Sequence, residues 1–178
     1  MNPIIVTSRI LAISGSLRAA STNTALLRAA ARLAPAGIEI TLFEGLGLLP
    51  LFNPDIEATE PPPVTSLRQQ IKASDGLIIA SPEYAHGVAS AIKNALDWMV
   101  SGEEFVNKPV ALLNASPRAT HAYAALKETV TVMSARIVEE ASIAVPVLGR
   151  NLDTTGIVTH PEISVALRAA IVALAQAT

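Results

Sequence analysis

The sequence contains no cysteine, and that absence removes disulfides, thiolate nucleophiles, iron–sulfur ligation and thiolate zinc sites together. Any redox chemistry in this chain therefore needs a bound cofactor. Histidine is scarce as well: His86, His121 and His160 are too scattered to form a helical i, i+4 metal-binding pair. Aromatic residues make up 3% of the chain while hydrophobic residues make up 51%. A core must then be built from Ala, Val, Ile and Leu, which suits parallel strands buried on both faces. An excess of one charge is missing too. Against 13 basic residues stand 15 acidic ones, for a net charge of -2, which gives no field to attract a phosphate backbone or an anionic membrane. No apolar run reaches the roughly 18 uncharged residues of a membrane span. The stretch before Arg9, the first basic residue, is too short and wrongly flanked for a secretory signal. The expectation is a cytoplasmic protein with neither nucleic acid nor membrane as partner. With 178 residues it is expected to form one domain over its whole length, 1–178, with 1–8 as a loose N-terminal extension.

Strands and helices alternate along the chain. Residues 9–14, RILAIS, form an apolar run ending in a Gly/Ser loop, and Leu26, Leu27, Ala30 and Leu33 recur at helical spacing within 23–33. Gly37 interrupts, 38–43 alternates and is rich in branched residues, and the proline-rich stretch 44–63 reads as a long irregular loop. A short helix at 64–73 leads to the buried strand DGLIIA at 75–80 and then to Ser81-Pro82. In 88–100 the residues Val88, Ile92, Ala95, Leu96 and Met99 form one stripe, with Lys93 and Asp97 a turn apart on the other side. A strand at 108–114, a helix at 123–136, a fifth strand at 138–147 and a closing helix at 163–177 complete the pattern. It predicts an α/β fold of right-handed crossovers around a five-stranded parallel sheet, doubly wound in the order 2-1-3-4-5 with helices on both faces. The ligand crevice of such a sheet lies where strands 1 and 3 diverge.

Two loops open on that crevice. The first runs from Ser14 to Thr24. Gly15 allows close approach of the backbone, several hydroxyls can donate, and the following helix points its positive dipole end into the crevice. Without a GK[ST] ending or a G-x-G-x-x-G pattern it is neither a Walker loop nor a dinucleotide fingerprint, and a phosphate monoester fits it best. The plainer reading of the same residues is a Ser/Thr helix cap beside a solvated Arg18. The second loop is Ser81-Pro82-Glu83-Tyr84-Ala85-His86-Gly87. A proline, a polar and aromatic stretch and a permissive glycine can shape a bay for a planar hydrogen-bonding ring, although Tyr84 and His86 taken singly read equally well as surface-loop residues.

The stretches GSLRAASTN at 15–23 and SPEYAHGVASAIKNALDW at 81–98 resemble the NADPH-dependent FMN reductase family, which includes quinone, chromate and azo-dye reductases. The similarity runs from Arg9 to about Val147. It implies a flavodoxin-like fold that holds FMN, with the first loop around the phosphate through Ser14, Gly15, Ser16, Arg18, Ser21 and Asn23. The second loop would lie against the flavin ring through Pro82, Glu83, Tyr84, Ala85, His86 and Gly87. Ser116 would reach the flavin from the loop after strand 4, where Arg118 and His121 would line the nicotinamide or acceptor side. NADPH or NADH would be the co-substrate and quinones or free flavin the acceptors, in ping-pong turnover. Since the flavin carries the chemistry, no catalytic side chain or metal is required. The resemblance also implies a homodimer or homotetramer, with the helix at 88–100 as a candidate interface. Two other readings remain: a flavin-binding electron carrier or sensor without turnover, and a non-flavin hydrolase or phosphate-ligand-binding protein. The second is weakened by the lack of a Ser-His-acid arrangement in suitable order.

Overall fold

The computed structural model describes residues 8–178, so most of the expected N-terminal extension, 1–7, lies outside the described residues. Ser8 belongs to no extension. It opens β1 (Ser8–Ser14), is buried, and donates its amide to Gly37 O at 3.1 Å. After β1 come α1 (Thr22–Leu33), β2 (Ile38–Leu42), a short α2 (Pro54–Glu57), α3 (Pro62–Ala73) and β3 (Gly76–Ala80). A hairpin of β4 (Glu83–Tyr84) and β5 (Gly87–Val88) precedes α4 (Ser90–Met99) and β6 (Pro109–Leu113). The chain ends with α5 (Thr120–Val132), β7 (Arg136–Ile137), α6 (Thr154–Thr159) and α7 (Pro161–Gln176).

β2, β1, β3, β6 and β7 pair in that order, all in parallel. With the separate β4–β5 hairpin set aside, this is the doubly wound 2-1-3-4-5 sheet of flavodoxin-like proteins. Because side chains alternate across a strand, neighbouring residues feed different layers. Ile10 and Ala12 of β1 join Leu26, Leu33, Leu167 and Ile171 from α1 and α7 on one face. Leu11 and Ile13 join Leu67, Ile92, Trp98 and Leu126 from α3, α4 and α5 on the other. Every residue of β3 and β6 is buried, which is why those runs carry no polar alternation.

The fifth strand differs from the expectation. Pairing occurs at Arg136–Ile137 against Pro109 and Val110, and the expected strand 138–147 is broken by a helical turn at Glu139–Ala141. Beyond the turn, among the described residues, only an isolated parallel bridge, Asn114 to Ala144, continues the sheet. The Ser142 hydroxyl explains the break: it donates to Val138 O at 2.9 Å and accepts the Leu112 amide at 3.1 Å, taking the place of a ladder partner. The β4–β5 hairpin was not legible either. Its two turn residues, Ala85 and His86, both have left-handed φ values, 48° and 59°, as a type I′ turn requires, yet neither is the Asn or Gly that normally signals one.

Candidate active site

β1, β3 and β6 end level with one another, Ser14 beside Ala80 and Ala80 beside Leu113. The three loops that leave these ends surround a cleft of about 390 Å³, within the size of small-molecule sites. Of the predicted residues, Ser16, Arg18, Ser21, Asn23, Pro82, Glu83, Tyr84 and Ser116 line it, and Ser14, Gly15, Ala85, His86 and Gly87 do not. Thr22, Ser81, Asn114, Ala115, Arg118, Ala119 and Leu148 complete the wall.

The first loop is held from beneath. Ser14 Oγ shares a hydrogen bond with Thr24 Oγ1 at 2.8 Å and accepts the Ser16 amide at 3.3 Å, so Ser14 braces the loop. Gly15 donates its amide to Ala80 O at 2.8 Å, and a Cβ there would meet Ser81 Oγ at 2.6 Å and Ile92 Cγ2 at 3.1 Å. The space that glycine opens is therefore filled by the second loop and α4.

The start of α1 is open by comparison. Ser21 caps the helix, its Oγ accepting the Thr24 amide at 3.1 Å. No acidic residue stands in the first turn, and among the described residues nothing accepts the amides of Thr22 and Asn23. Asn23 is 7% exposed, and its Oδ1 is buried without a hydrogen-bond partner. Its amide group can be turned to present N–H instead. Arg18 is exposed and forms no ion pair with any described residue. Unsatisfied first-turn amides, the positive dipole end, a free guanidinium and hydroxyls at Ser16 and Thr22 together make an anion site. The residues present thus fit a phosphate monoester.

The opposite wall is assembled by side chains that sequence reasoning missed. Asn114, buried at the end of β6, accepts the Ser116 amide at 3.0 Å and donates to Ala119 O at 3.0 Å, folding 114–119 into a compact loop. An Asn immediately after an apolar strand was the available signal. Glu83 does not turn its carboxylate to the cleft alone: Oε2 accepts the Ala122 amide of α5 at 2.8 Å. His86 and His121 stack on each other outside the cleft, with ring centroids 4.3 Å apart and planes inclined by 20°, so of the two residues expected on the acceptor side only Arg118 lines the wall. Tyr84 is 54% exposed at its edge. Behind the wall Tyr123 has its phenol pushed up by burial and by Glu139, against the opposing pull of Lys127 and Ser142.

The family model described as NADPH-dependent FMN reductase matches residues 8–147. The chain is 45% identical over 111 residues to an NAD(P)H-dependent FMN reductase of Pseudomonas aeruginosa, an alignment that takes in 61% of this chain and 60% of that protein. It is 32% identical over 112 residues to the quinone reductase of Escherichia coli K12, again over 61% and 60%. The matched stretch thus spans less than two thirds of either relative. Among solved structures, the flavoenzyme NAD(P)H:(acceptor) oxidoreductase FerB from Paracoccus denitrificans superposes with a TM-score of 0.80 at 27% identity, covering 95% of this chain and 96% of that one.

Proposed function

Because the chain belongs to the NADPH-dependent FMN reductase family, we propose that it holds FMN in the cleft between the β1, β3 and β6 loops and serves as an NAD(P)H-dependent reductase of small acceptors. The observation that carries this reading is the start of α1, where an unpartnered Asn23, two free amides and an unpaired Arg18 meet. FMN, when bound, supplies the hydride chemistry. The chain supplies the rest. Ser16, Arg18, Thr22 and Asn23 hold the phosphate, which fixes the direction in which the cofactor lies. Pro82, Tyr84 and Ser116 shape the wall for the ring. Arg118 lines the wall on the acceptor side. Glu83 gives one carboxylate oxygen to the Ala122 amide and so ties this wall to α5.

This reading takes residues 1–178 as one FMN-binding unit and places it in the cytoplasm, with its nicotinamide donor. It also implies a homodimer or homotetramer. The apolar stripe of α4 is buried in the core, so the support for a subunit contact lies instead in Leu17, Leu48 and Leu51, which are 63%, 72% and 84% exposed.

Quinones or free flavin would take the place that the nicotinamide vacates, because the cleft has one open anion site and FMN fills it. Turnover should then be ping-pong. Varying NADPH at several fixed quinone concentrations should give parallel double-reciprocal lines; intersecting lines would mean that donor and acceptor bind together. Arg18→Ala should weaken FMN binding about ten- to hundred-fold, the size of a lost charge-assisted phosphate contact. Riboflavin, which lacks the phosphate and so every contact to it, should bind the parent much more weakly than FMN does. Flavin titration of the apo-protein checks both, and equal FMN affinity in a folded Arg18→Ala variant removes Arg18 from the site.

A further inference from the structure

Two helices begin at the wall of the cleft, and they are treated differently. α1 starts with its first amides free. α5 follows Ala119, a cleft residue that offers no capping side chain, and its first turn also contains no acidic residue. Left alone, its N-terminus would present a second positive end, worth about half an elementary charge, to whatever occupies the cleft. The chain does not leave it alone. The Glu83 carboxylate reaches across from β4 and accepts the Ala122 amide, the third of the helix, at 2.8 Å. The contact joins residues 39 positions apart, so it is a tertiary bond rather than a local cap, and it comes from a side chain that itself lines the cleft.

We propose that Glu83 is a positioning residue that sets the electrostatic polarity of the cleft. By neutralising the start of α5 it leaves α1 as the one helix end that attracts the phosphate. It also withholds positive charge from the ring at the other end of the cofactor. This rests on the FMN reading given above. Reduction adds electron density to the flavin, so a neutralised α5 disfavours the reduced form, and removing the carboxylate favours it. Glu83 thereby keeps the bound flavin a stronger reductant toward its acceptor. The same hairpin has a second tie to α5, the His86–His121 ring stack, which positions the hairpin without touching the helix amides.

Glu83→Gln separates charge from shape, since the amide oxygen can still accept from Ala122 while the charge is gone. The test is the two-electron midpoint potential of the FMN-loaded protein, measured for the parent, for Glu83→Gln and for His121→Ala, which loosens the hairpin but keeps the carboxylate. In Glu83→Gln the preference for reduced over oxidised flavin should rise about ten-fold, or about 30 mV for a two-electron couple. His121→Ala should stay at the parent value. The Ala122 amide resonance of the flavin-free protein should shift in Glu83→Gln, reporting the bond independently of any cofactor. An unchanged potential in Glu83→Gln overturns the proposal, as do equal shifts in the two variants, which would trace the effect to hairpin position. An unmoved Ala122 resonance overturns it too. A protein that takes up no FMN overturns the reading of the cleft itself, whereas bound FMN at an unaltered potential removes only the role of Glu83.

Discussion

Replacing Arg68 with alanine should lower the thermal midpoint by about 6–12 °C at neutral pH, although the residue lies outside the cleft. Arg68 on α3 donates Nη1 to Glu104 Oε2 at 3.0 Å and Nη2 to Trp98 O at 2.6 Å, joining α3 to the end of α4. The Glu104 side chain is 2% exposed, and Lys72 reaches its other oxygen at 3.3 Å. A Cβ on Gly102 would run into the Arg68–Glu104 pair, so the backbone has been kept bare to make room for it. Breaking a buried pair strands a charge and costs about 3–5 kcal/mol. Because Lys72 remains, the low end, about 3 kcal/mol, is expected, at about 2–4 °C per kcal/mol for a chain of this size.

The effect of Arg68→Ala should depend on pH, and its sign follows from Glu104. Burial alone would raise that carboxyl. Its own backbone amide, the Arg68 hydrogen bond and charge, and Lys72 outweigh burial and hold it below the ordinary glutamate value. A folded-state value lowered in this way contributes stability that is fully present above the unfolded value, roughly pH 4, and is lost as pH falls through the folded one. The parent should therefore lose its advantage over Arg68→Ala as the solution is acidified below that range. Calorimetry at neutral and at acid pH checks this. A difference of equal size at both pH values would show that Arg68 acts through packing and its bond to Trp98 rather than through the Glu104 charge.

Gly15→Val should damage stability and cofactor binding together. The first added carbon already meets Ser81 Oγ at 2.6 Å and Ser81 Cβ at 2.9 Å, with Ile92 behind them, and two further methyl groups have nowhere to go. Overpacking of a filled site costs about 1–3 kcal/mol, and more where the neighbours cannot move. Here the neighbour is the start of the second cleft loop, so relief comes by pushing Ser81–Tyr84 away from Ser16–Asn23. Small displacements of positioning groups are expensive: about 1 Å can reduce function some hundred-fold. FMN affinity in Gly15→Val should fall at least ten-fold beside a lowered thermal midpoint. A variant with the parent's midpoint and affinity would mean that the two loops are not pressed together as described.

The parts legible in the sequence are those whose cause is local. β1, β3 and β6 announce themselves as short apolar runs because both their faces are buried, and α1 announces its start through Ser21. The crevice then follows from topology alone, and with it the cleft positions of Arg18, Asn23, Pro82 and Tyr84. What stayed hidden has causes distant in sequence. The carboxylate of Glu83 is committed to an amide 39 positions away, so α5 begins at Thr120, three residues before the expected start, on the strength of a cap outside its own segment. Ala85 and His86 occupy left-handed conformations without the residue types that advertise them, and the ring of His86 is turned to His121 rather than inward. Leu148 reaches the cleft because its amide is tied to Ala115 O at 3.0 Å, a contact no spacing rule foretells. The short helix α6 was within reach, since Asp153 accepts the Gly156 amide at 2.7 Å as an ordinary N-cap.

The central place of β1 bears on how the chain is made. Its hydrogen-bonding edges are claimed by β2 on one side and β3 on the other, and both neighbours leave the ribosome after it. β3 follows roughly 60 residues later, an interval on the order of 3–12 s at about 5–20 residues per second. Until then one full edge of an apolar strand has no partner, and the loop that follows β1 has no opposite wall. Codon changes that slow translation across 43–75 would lengthen that exposure and should lower the soluble yield without altering a single amino acid.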